Sequence, residues 1–206
     1  MPLDQRLISA VAAVFVEKGY SGASTRDLAS ALGLQRGSLY HHIKSKEELL
    51  YEVVLKPVRS IVGDLQHIVE SEAPVRVRLS LVVAAHIDAF DRHFPHLFVF
   101  LQERFPIGDE QLPQAREIAQ LARHYEGLVV ALITEGMADG SLRDDLNPQT
   151  AARALLGMCN WMHKWYRPSH DAGDDIARTF SAIFLDGLDS SRWALCRHQE
   201  GAQGLS

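Results

Sequence analysis

Residues 24–50 read STRDLASALGLQRGSLYHHIKSKEELL, and this stretch decides the fold because its own residues mark where short helices begin and end. Ser24 stands before a helical segment in which Asp27 comes third. A serine oxygen in that position accepts a hydrogen bond from a free helix amide, and the aspartate reaches back to the cap. Gly33 suits the left-handed backbone of a tight corner between helices, where a side chain would cost energy. We therefore predict a short helix from Thr25 to about Leu32, followed by a turn.

The same stretch contains a second cap. Ser45 and Glu48 repeat the pattern ahead of a longer apolar segment, and residues 36–43 between the two caps predict another short helix. Helices this short are not stable alone in water, so they must pack as a bundle. An amphipathic segment upstream supplies a packing partner that ends near Gly19, and its apolar residues are Leu7, Ile8, Val11, Val14 and Phe15.

This bundle is predicted to form a helix-turn-helix, in which the second of two crossed helices enters the major groove of DNA. The apolar residues that would hold it together are Leu28, Ala29, Leu32, Leu34, Leu39 and Ile43. The residues left facing outward on the second helix are Arg36, Gly37, Ser38, Tyr40 and His41. Arginine binds guanine or phosphate, hydroxyls form hydrogen bonds, and glycine permits close backbone approach, so these residue types suit a DNA surface. A solvated helix face is the alternative interpretation.

The distribution of charge supports a nucleic-acid partner, although the total charge does not. The formal net charge is -5, which opposes binding to phosphates. Between residues 26 and 46, however, Asp27 is the single acid, and the cations are Arg26, Arg36, Lys44 and Lys46. An acidic body with a basic tip approaches DNA in one orientation.

Length and composition place the chain among globular proteins. Its 206 residues, 47% of them hydrophobic and 23% charged, are enough for one small and one medium domain. Cys159 and Cys196 are the two cysteines, which give neither a disulfide framework nor a zinc spacing. No apolar run approaches the roughly 20 residues of a membrane span. We therefore expect a cytoplasmic protein with no membrane partner, no cofactor and no metal.

Proline starts and glycine stops place the remaining helices. A long helix from Lys46 to about Ser71 contains Pro57, where we predict a kink. The helices predicted after it are Pro74 to about His93, Pro95 to Phe105, Pro113 to Asp139, Pro148 to Tyr166, and Asp174 to about Arg192. The sequence therefore predicts an all-α fold with a three-helix helix-turn-helix bundle and a helical ligand-binding and dimerisation domain. The predicted divisions are residues 1–50, residues 51–195 and a disordered tail at 196–206.

Four motifs in the first 55 residues resemble the signature of the TetR/AcrR family of bacterial regulators. They are STRDLA at 24–29, GL at 33–34, GSLYHHI at 37–43 and SKEELL at 45–50. The resemblance spans roughly Leu7 to Leu55, and Ile43 stands where the family often has phenylalanine. It implies that phosphates are held by Thr25, Tyr40 and Lys46, and that the residues near base edges or the backbone are Arg36, Gly37, Ser38 and His41. Arg26 either touches DNA or pairs with a nearby acid.

The resemblance also implies a homodimer, because one short recognition helix makes few contacts whereas a symmetric pair reads two operator half-sites. The last two helices form the dimer bundle in this family. Here they correspond to Pro148–Tyr166 and Asp174–Arg192. The residues expected to let these helices approach closely are Ala151, Ala154, Leu155, Gly157 and Met158.

Two concentrations of aromatic residues beyond the bundle predict a pocket for a small hydrophobic effector. The predicted effector-binding residues are Phe94, Phe98, Leu101, Arg104, Phe105, Met158, Trp161, Met162 and Trp165. Ordinary core packing is the alternative for each of them. The segment WMHKWYRP at 161–168 resembles one in family members that respond to acyl-coenzyme A thioesters or other lipid-derived ligands. In that case Arg104, Lys164 or Arg167 would meet phosphates or a carboxylate.

The motifs of common enzymes are missing from the sequence. It has no Gly-x-Ser-x-Gly elbow, no phosphate-binding loop and no His-Glu-x-x-His, and Cys159 lies among apolar neighbours as a packed thiol does. His93 and His96 have the gap of a ligand pair, but Pro95 interrupts the helix between them. We predict a non-enzymatic, sequence-specific transcriptional repressor that a hydrophobic effector, such as an acyl-CoA or lipid-derived acid, releases from its operator. The alternative is a helical small-molecule-binding module whose first bundle does not read DNA.

Overall fold

The computed structural model describes residues 5–35, 45–102, 112–167 and 172–189, and most of them are helical. The helices are α1 (Gln5–Gly22), α2 (Thr25–Ala31), α3 (Lys46–Val69), α4 (Val75–Arg92), α5 (His96–Gln102), α6 (Pro113–Ala138), α7 (Pro148–Asn160) and α8 (Gly173–Gly187), with a 3₁₀ turn at Trp161–Lys164. Within these ranges the β structure is one isolated bridge between Leu142 and Asp189. The predicted all-α fold class is confirmed.

The helix boundaries predicted around Ser24 and Ser45 are confirmed. Ser24 Oγ accepts a hydrogen bond from the Asp27 amide at 3.2 Å, and the Ser24 amide donates to Asp27 Oδ2 at 2.9 Å, which completes the capping box. Ser45 Oγ accepts from the Glu48 amide at 3.0 Å. Gly33 has a φ of 65°, as the tight corner requires. The helix predicted over residues 36–43 lies outside the described residues.

Three features of the helices differ from the prediction. α1 continues past Gly19 to Gly22, because the non-helical backbone of Gly19 is accommodated as a kink. α8, predicted to reach about Arg192, ends at Gly187. α3 runs through Pro57 as one helix, and the kink predicted there stays a prediction. The long helix predicted to end at Tyr166 instead ends at Asn160 and tightens into the 3₁₀ turn.

The buried side chains form two clusters that α3 joins. The head core packs α1, α2, the first turns of α3 and the first turns of α6, and includes Phe15, Leu28 and Leu49. The body core packs α4, α6, α7 and the end of α3. The short helix α5 contributes to both, since Val99 belongs to the head core and Phe98 to the body core. No described helix is both long enough and apolar enough to cross a bilayer.

Candidate effector pocket and DNA-binding head

A cavity of about 730 Å³ opens between five helices of the body. Its walls come from α3, α4, α5, α6 and α7. The apolar lining residues are Val58, Ile61, Val62, Leu97, Phe100, Leu101, Ile118, Ala119, Leu121, Ala122 and Leu156. Pockets for small molecules usually measure about 300–1,000 Å³ and have mostly apolar walls. The cavity therefore has the size and chemistry of a site for a hydrophobic ligand.

Three polar side chains from three helices form one hydrogen-bonded chain in the cavity wall. His86 of α4 lies between Tyr125 of α6 and Asn160 of α7. Its Nδ1 is 2.9 Å from the Tyr125 hydroxyl, and its Nε2 is 3.1 Å from Asn160 Oδ1. An amide oxygen only accepts hydrogen bonds, so Nε2 carries the ring proton and Nδ1 accepts from the tyrosine hydroxyl.

Burial keeps this chain of side chains uncharged. His86 is 8% exposed, and desolvation lowers the pKa of its imidazole to about 4, although the hydrogen bond to Asn160 acts in the opposite direction. Burial raises the pKa of the Tyr125 hydroxyl well above its usual range. Both groups are therefore neutral near pH 7.

The neutral His86 is expected to make the folded protein less stable in mild acid. Its pKa is about 4 in the folded chain, against about 6.5 for an unfolded histidine. The unfolded chain therefore binds more protons between these two values. The free energy of unfolding should fall through this window as the pH drops, by up to about 3 kcal/mol. Chemical denaturation across the window measures the effect, with His86→Gln as the non-titrating control, and equal pH dependence in both proteins would contradict it.

An ion pair stands at the exposed edge of the cavity. Arg153 Nε lies 2.7 Å from Glu126 Oε1, and the Arg153 side chain is 71% exposed. Such an exposed pair adds little stability, so its guanidinium can exchange partners with an anionic group of a ligand. Lys164 and Arg167, predicted for that role, are not among the residues that line the cavity.

The structure places one predicted effector residue on α5, Leu101, in the cavity wall. Phe98 is instead buried in the body core, where its ring meets Phe90 edge-on at 5.6 Å. Phe94 precedes the helix, is 46% exposed and packs against Phe98. The α5 residues that line the cavity are Leu97, Phe100 and Leu101, which recur at three- and four-residue spacing, and Phe98 is not among them. Arg104 and Phe105 lie outside the described residues.

The predicted effector residues near the end of α7 do not line the cavity either. Met162 is fully buried in the body core. Met158 lines a separate groove between α7 and α8, Trp161 is 60% exposed, and the Trp165 ring packs 6.4 Å from that of Phe180. The reason is helical periodicity. Positions 153, 156, 157 and 160 face the cavity, whereas positions 150, 154 and 158 face the groove.

The cavity walls on α3 and α6 escaped prediction. Their residues are apolar and recur at helical spacing, which is also the pattern of an ordinary core. One polar residue could have indicated the site in the sequence. His86 interrupts an apolar helix face that contains Val82, Val83 and Phe90. Its partners become recognisable only once the fold brings α6 and α7 beside it.

Three of the predicted DNA-contacting residues fall within the described ranges. Arg26 is exposed at the start of α2, with Thr25 half-buried beside it. The neighbouring acid, Asp27, pairs with Lys18 at 2.6 Å, and within the described ranges Arg26 has no ion pair. The predicted contacts that lie outside these ranges are Arg36, Gly37, Ser38, Tyr40 and His41.

Lys46 links the first turn of α3 to the end of α1. Its ammonium donates to the carbonyl oxygens of Tyr20 at 2.6 Å and Ala23 at 3.0 Å, and lies 4.3 Å from the centre of the Tyr20 ring. An ammonium has three N–H donors, and these carbonyls account for two of them. The phosphate contact predicted for Lys46 stays a prediction, while the structure adds a role in holding the head together.

The described residues offer no grouping of three or more metal-ligating side chains. Cys159 is buried, and burial raises the pKa of its thiol to about 12. A thiol with so high a pKa is a poor nucleophile at neutral pH. Its environment is that of the packed thiol predicted from the sequence.

Two family models match most of the chain. The model for bacterial regulatory proteins of the tetR family covers residues 7–53, and the model for the tetracyclin repressor-like C-terminal domain covers residues 72–188. Among curated relatives, the HTH-type transcriptional repressor KstR2 of Rhodococcus jostii is 29% identical over 186 residues, which is 89% of this chain and 90% of the relative. The HTH-type transcriptional repressor DhaR of a Mycobacterium species is 30% identical over 191 residues, 91% of this chain and 92% of the relative.

Solved structures give the same result. The TetR family regulator PfmR of Thermus thermophilus matches with a TM-score of 0.77 and 33% identity, over 90% of this chain and 100% of that one. The ketosteroid transcriptional regulator KstR2 of Mycobacterium tuberculosis matches with a TM-score of 0.80 and 26% identity, over 92% of this chain and 97% of that one.

Proposed function

The chain belongs to the TetR family of bacterial regulators, and from this premise we propose that it is a dimeric repressor that leaves its operator when a hydrophobic ligand occupies the body cavity. The two curated relatives described above are named as transcriptional repressors. The observation that carries the proposal is the cavity of about 730 Å³, because three of the helices that form its walls, α3, α5 and α6, also contribute to the head core.

The shortest of these three helices is α5, and its two faces connect the ligand site to the DNA-binding head. Leu97, Phe100 and Leu101 line the cavity, whereas Val99 packs into the head core. On the head side, Ser9 Oγ of α1 lies 3.4 Å from His96 Nε2. A ligand that displaces α5 therefore displaces α1 and the head with it. In a dimer this changes the spacing of the two heads and shifts the population away from the DNA-bound state.

The outward face of α7 and α8 supports the homodimer. α8 carries apolar side chains along one side, but Ala177 is its only residue classed as buried, and Ile183 is 61% exposed. Ile183 and Phe184 line the groove against Ala154 and Met158 of α7. A second copy would cover this surface, and stable interfaces bury about 800 Å² on each partner.

The five α7 residues expected at the interface lie on different faces of the helix. Leu155 is fully buried in the body core of its own chain, and Gly157 lines the cavity. Ala151, Ala154 and Met158 line the groove. The small residues of α7 therefore divide between the ligand face and the proposed dimer face.

The DNA-binding half of the proposal predicts two classes of variant. Tyr40→Phe and Lys46→Ala remove phosphate anchors and should weaken binding to every duplex, with a smaller salt dependence. Arg36→Ala and His41→Ala remove base contacts, so each should cost roughly tenfold on the operator and also alter sequence preference. Fluorescence anisotropy with the DNA upstream of the chain's own gene, against a scrambled duplex, measures both effects.

The controls follow from the structure. Because Lys46 also holds α1 to α3, thermal unfolding of Lys46→Ala must accompany its titration, and Lys46→Arg keeps the charge. Uniform losses across all four variants would contradict the division into anchors and readers. A wild-type protein that binds ligands in the cavity but prefers no duplex would instead be the small-molecule-binding module.

The cavity supports a hydrophobic effector. Its walls are apolar, and Arg153 at the mouth offers a partner for the phosphates of an acyl thioester that extends into solvent. Titration of the protein–operator complex with ketones, fatty acids and acyl thioesters tests the release step. An operator affinity that no such ligand changes at saturation would end this part of the proposal.

A further inference from the structure

We propose that the cavity recognises its effector by a neutral carbonyl oxygen, of a ketone, ester or thioester, which accepts a hydrogen bond from the Asn160 side-chain amide. This inference rests on the proposed function only in placing the effector in this cavity. It adds a polar selection rule to a site whose described walls are otherwise mostly apolar, with the Glu126–Arg153 ion pair at the exposed edge.

The Asn160 side chain presents hydrogen-bond donors at the cavity wall. Its Oδ1 accepts from His86 Nε2, so this face of the amide is occupied. Its nitrogen carries two N–H donors, and no described group accepts a hydrogen bond from them. Asn160 is also a lining residue of the cavity. A carbonyl oxygen of a bound ligand is the complement of these donors.

The Asn160 amide is held in one orientation. An asparagine alone can present either its oxygen or its nitrogen to a ligand. Here Asn160 Oδ1 lies 3.1 Å from His86 Nε2, so Nε2 carries the ring proton and Nδ1 accepts from the Tyr125 hydroxyl. This hydrogen bond holds the Asn160 oxygen on His86, and the amide nitrogen faces away. His86 and Tyr125 act as positioning residues, contributed by two helices other than the one that carries Asn160.

The cavity wall around Asn160 carries no net charge near pH 7 among its described residues. The ionisable side chains among the described lining residues are His86, Tyr125, Glu126 and Arg153. His86 and Tyr125 are neutral near pH 7, and Glu126 pairs with Arg153 at the exposed edge. A ligand carboxylate beside Asn160 would find no buried cation, and burial of an unpaired charge is strongly unfavourable. A neutral carbonyl loses little hydration and gains a hydrogen bond.

The test compares matched ligands on the full-length protein. Octan-2-one carries the carbonyl, 2-methyloct-1-ene replaces that oxygen by a methylene group of the same shape, and octanoate carries a charge. In calorimetric titrations we expect Asn160→Leu to weaken octan-2-one binding roughly tenfold while 2-methyloct-1-ene binding stays within about twofold of wild type. Octanoate should bind the wild type more weakly than the ketone.

An infrared readout separates positioning from structure. The carbonyl stretch of ¹³C-labelled octan-2-one should lie at lower frequency in the wild-type complex than in Asn160→Leu. His86→Gln, which retains a donor and an acceptor, should keep the shift, whereas His86→Leu should lose it while still binding 2-methyloct-1-ene.

The inference is overturned if Asn160→Leu binds octan-2-one as tightly as wild type, if octanoate binds as tightly as the ketone, or if none of the three ligands binds. Operator affinity of the same preparations is measured in parallel. Normal operator binding and ligand-induced release without dependence on Asn160 would sink the carbonyl rule and leave the repressor proposal standing. If the protein prefers no operator but still selects the ketone through Asn160, the repressor proposal fails and the carbonyl rule stands.

Discussion

Replacing Ile183 by aspartate is expected to convert the protein to a monomer and to lower its affinity for a two-half-site operator by roughly 100-fold or more. Ile183 is 61% exposed and lines the apolar groove between α7 and α8 together with Phe184 and Met158. A two-fold axis through this surface brings both copies of the new carboxylate into one apolar contact. Burial of unpaired charge opposes association, and separate heads lose the gain in effective concentration that linkage provides.

Light scattering and operator titration together measure this result. The monomer should bind a single half-site as wild type does, because the head is untouched. Ala131→Asp places the same charge at an exposed position of α6 outside the groove, and should leave both mass and affinity unchanged. An Ile183→Asp protein that remains a dimer would show that the copies meet through another surface.

The second large effect is expected from Ala122→Trp. Ala122 lines the cavity on α6, next to Leu121 and one turn after Ile118. An indole at this position occupies the space that the ligand needs while leaving the head untouched. The protein should still bind its operator, but it should no longer respond to ligand. Coupling between effector and DNA typically changes affinity about 5–150-fold, and that factor should fall to near one.

The measurement is operator release by a ketone or acyl thioester that frees the wild type. Ala131→Trp carries the same side chain on an exposed position of the same helix and should respond normally. Release of Ala122→Trp at wild-type ligand concentrations would show that the effector binds elsewhere. Loss of operator binding by the variant would point to damage of the fold, which thermal unfolding would reveal independently.

Local signals account for what the sequence predicted well. Ser24, Asp27 and Ser45 act on amides within three residues of themselves, and Gly33 needs only its own backbone angle. Such interactions form in any context that allows the helix, so a reader can find them without the fold. The four motifs of the head could also be recognised from the sequence, because they lie together in one short stretch of the chain.

The ligand site was harder to predict because it depends on which neighbour each helix face meets. Phe98 and Phe100 are both aromatic residues of α5, yet one packs in the body core and the other lines the cavity. Trp161 has the composition of a pocket residue and lies at the surface. An apolar side chain has the same pattern in sequence whether it meets a core, a ligand or a second subunit.

The polar chain of the cavity illustrates the same limit. Tyr125 follows His86 by 39 positions in the sequence, and Asn160 follows it by 74. Each alone has many ordinary explanations. They can be recognised as a site only when the tertiary structure brings the three side chains together.

The two-sided packing of α5 bears on how such a regulator acquires new specificities. The helix has seven residues and is about 10 Å long, so it moves as a unit when one side is pushed. Substitutions at Phe100 or Leu101 change which ligands fit the cavity, while Val99 continues to pack into the head core. Substitutions at Val99 change how strongly the binding of the same ligand alters operator affinity. Ligand specificity and the strength of the response to ligand therefore depend on opposite faces of one short helix. Selection can change either property without abolishing the other.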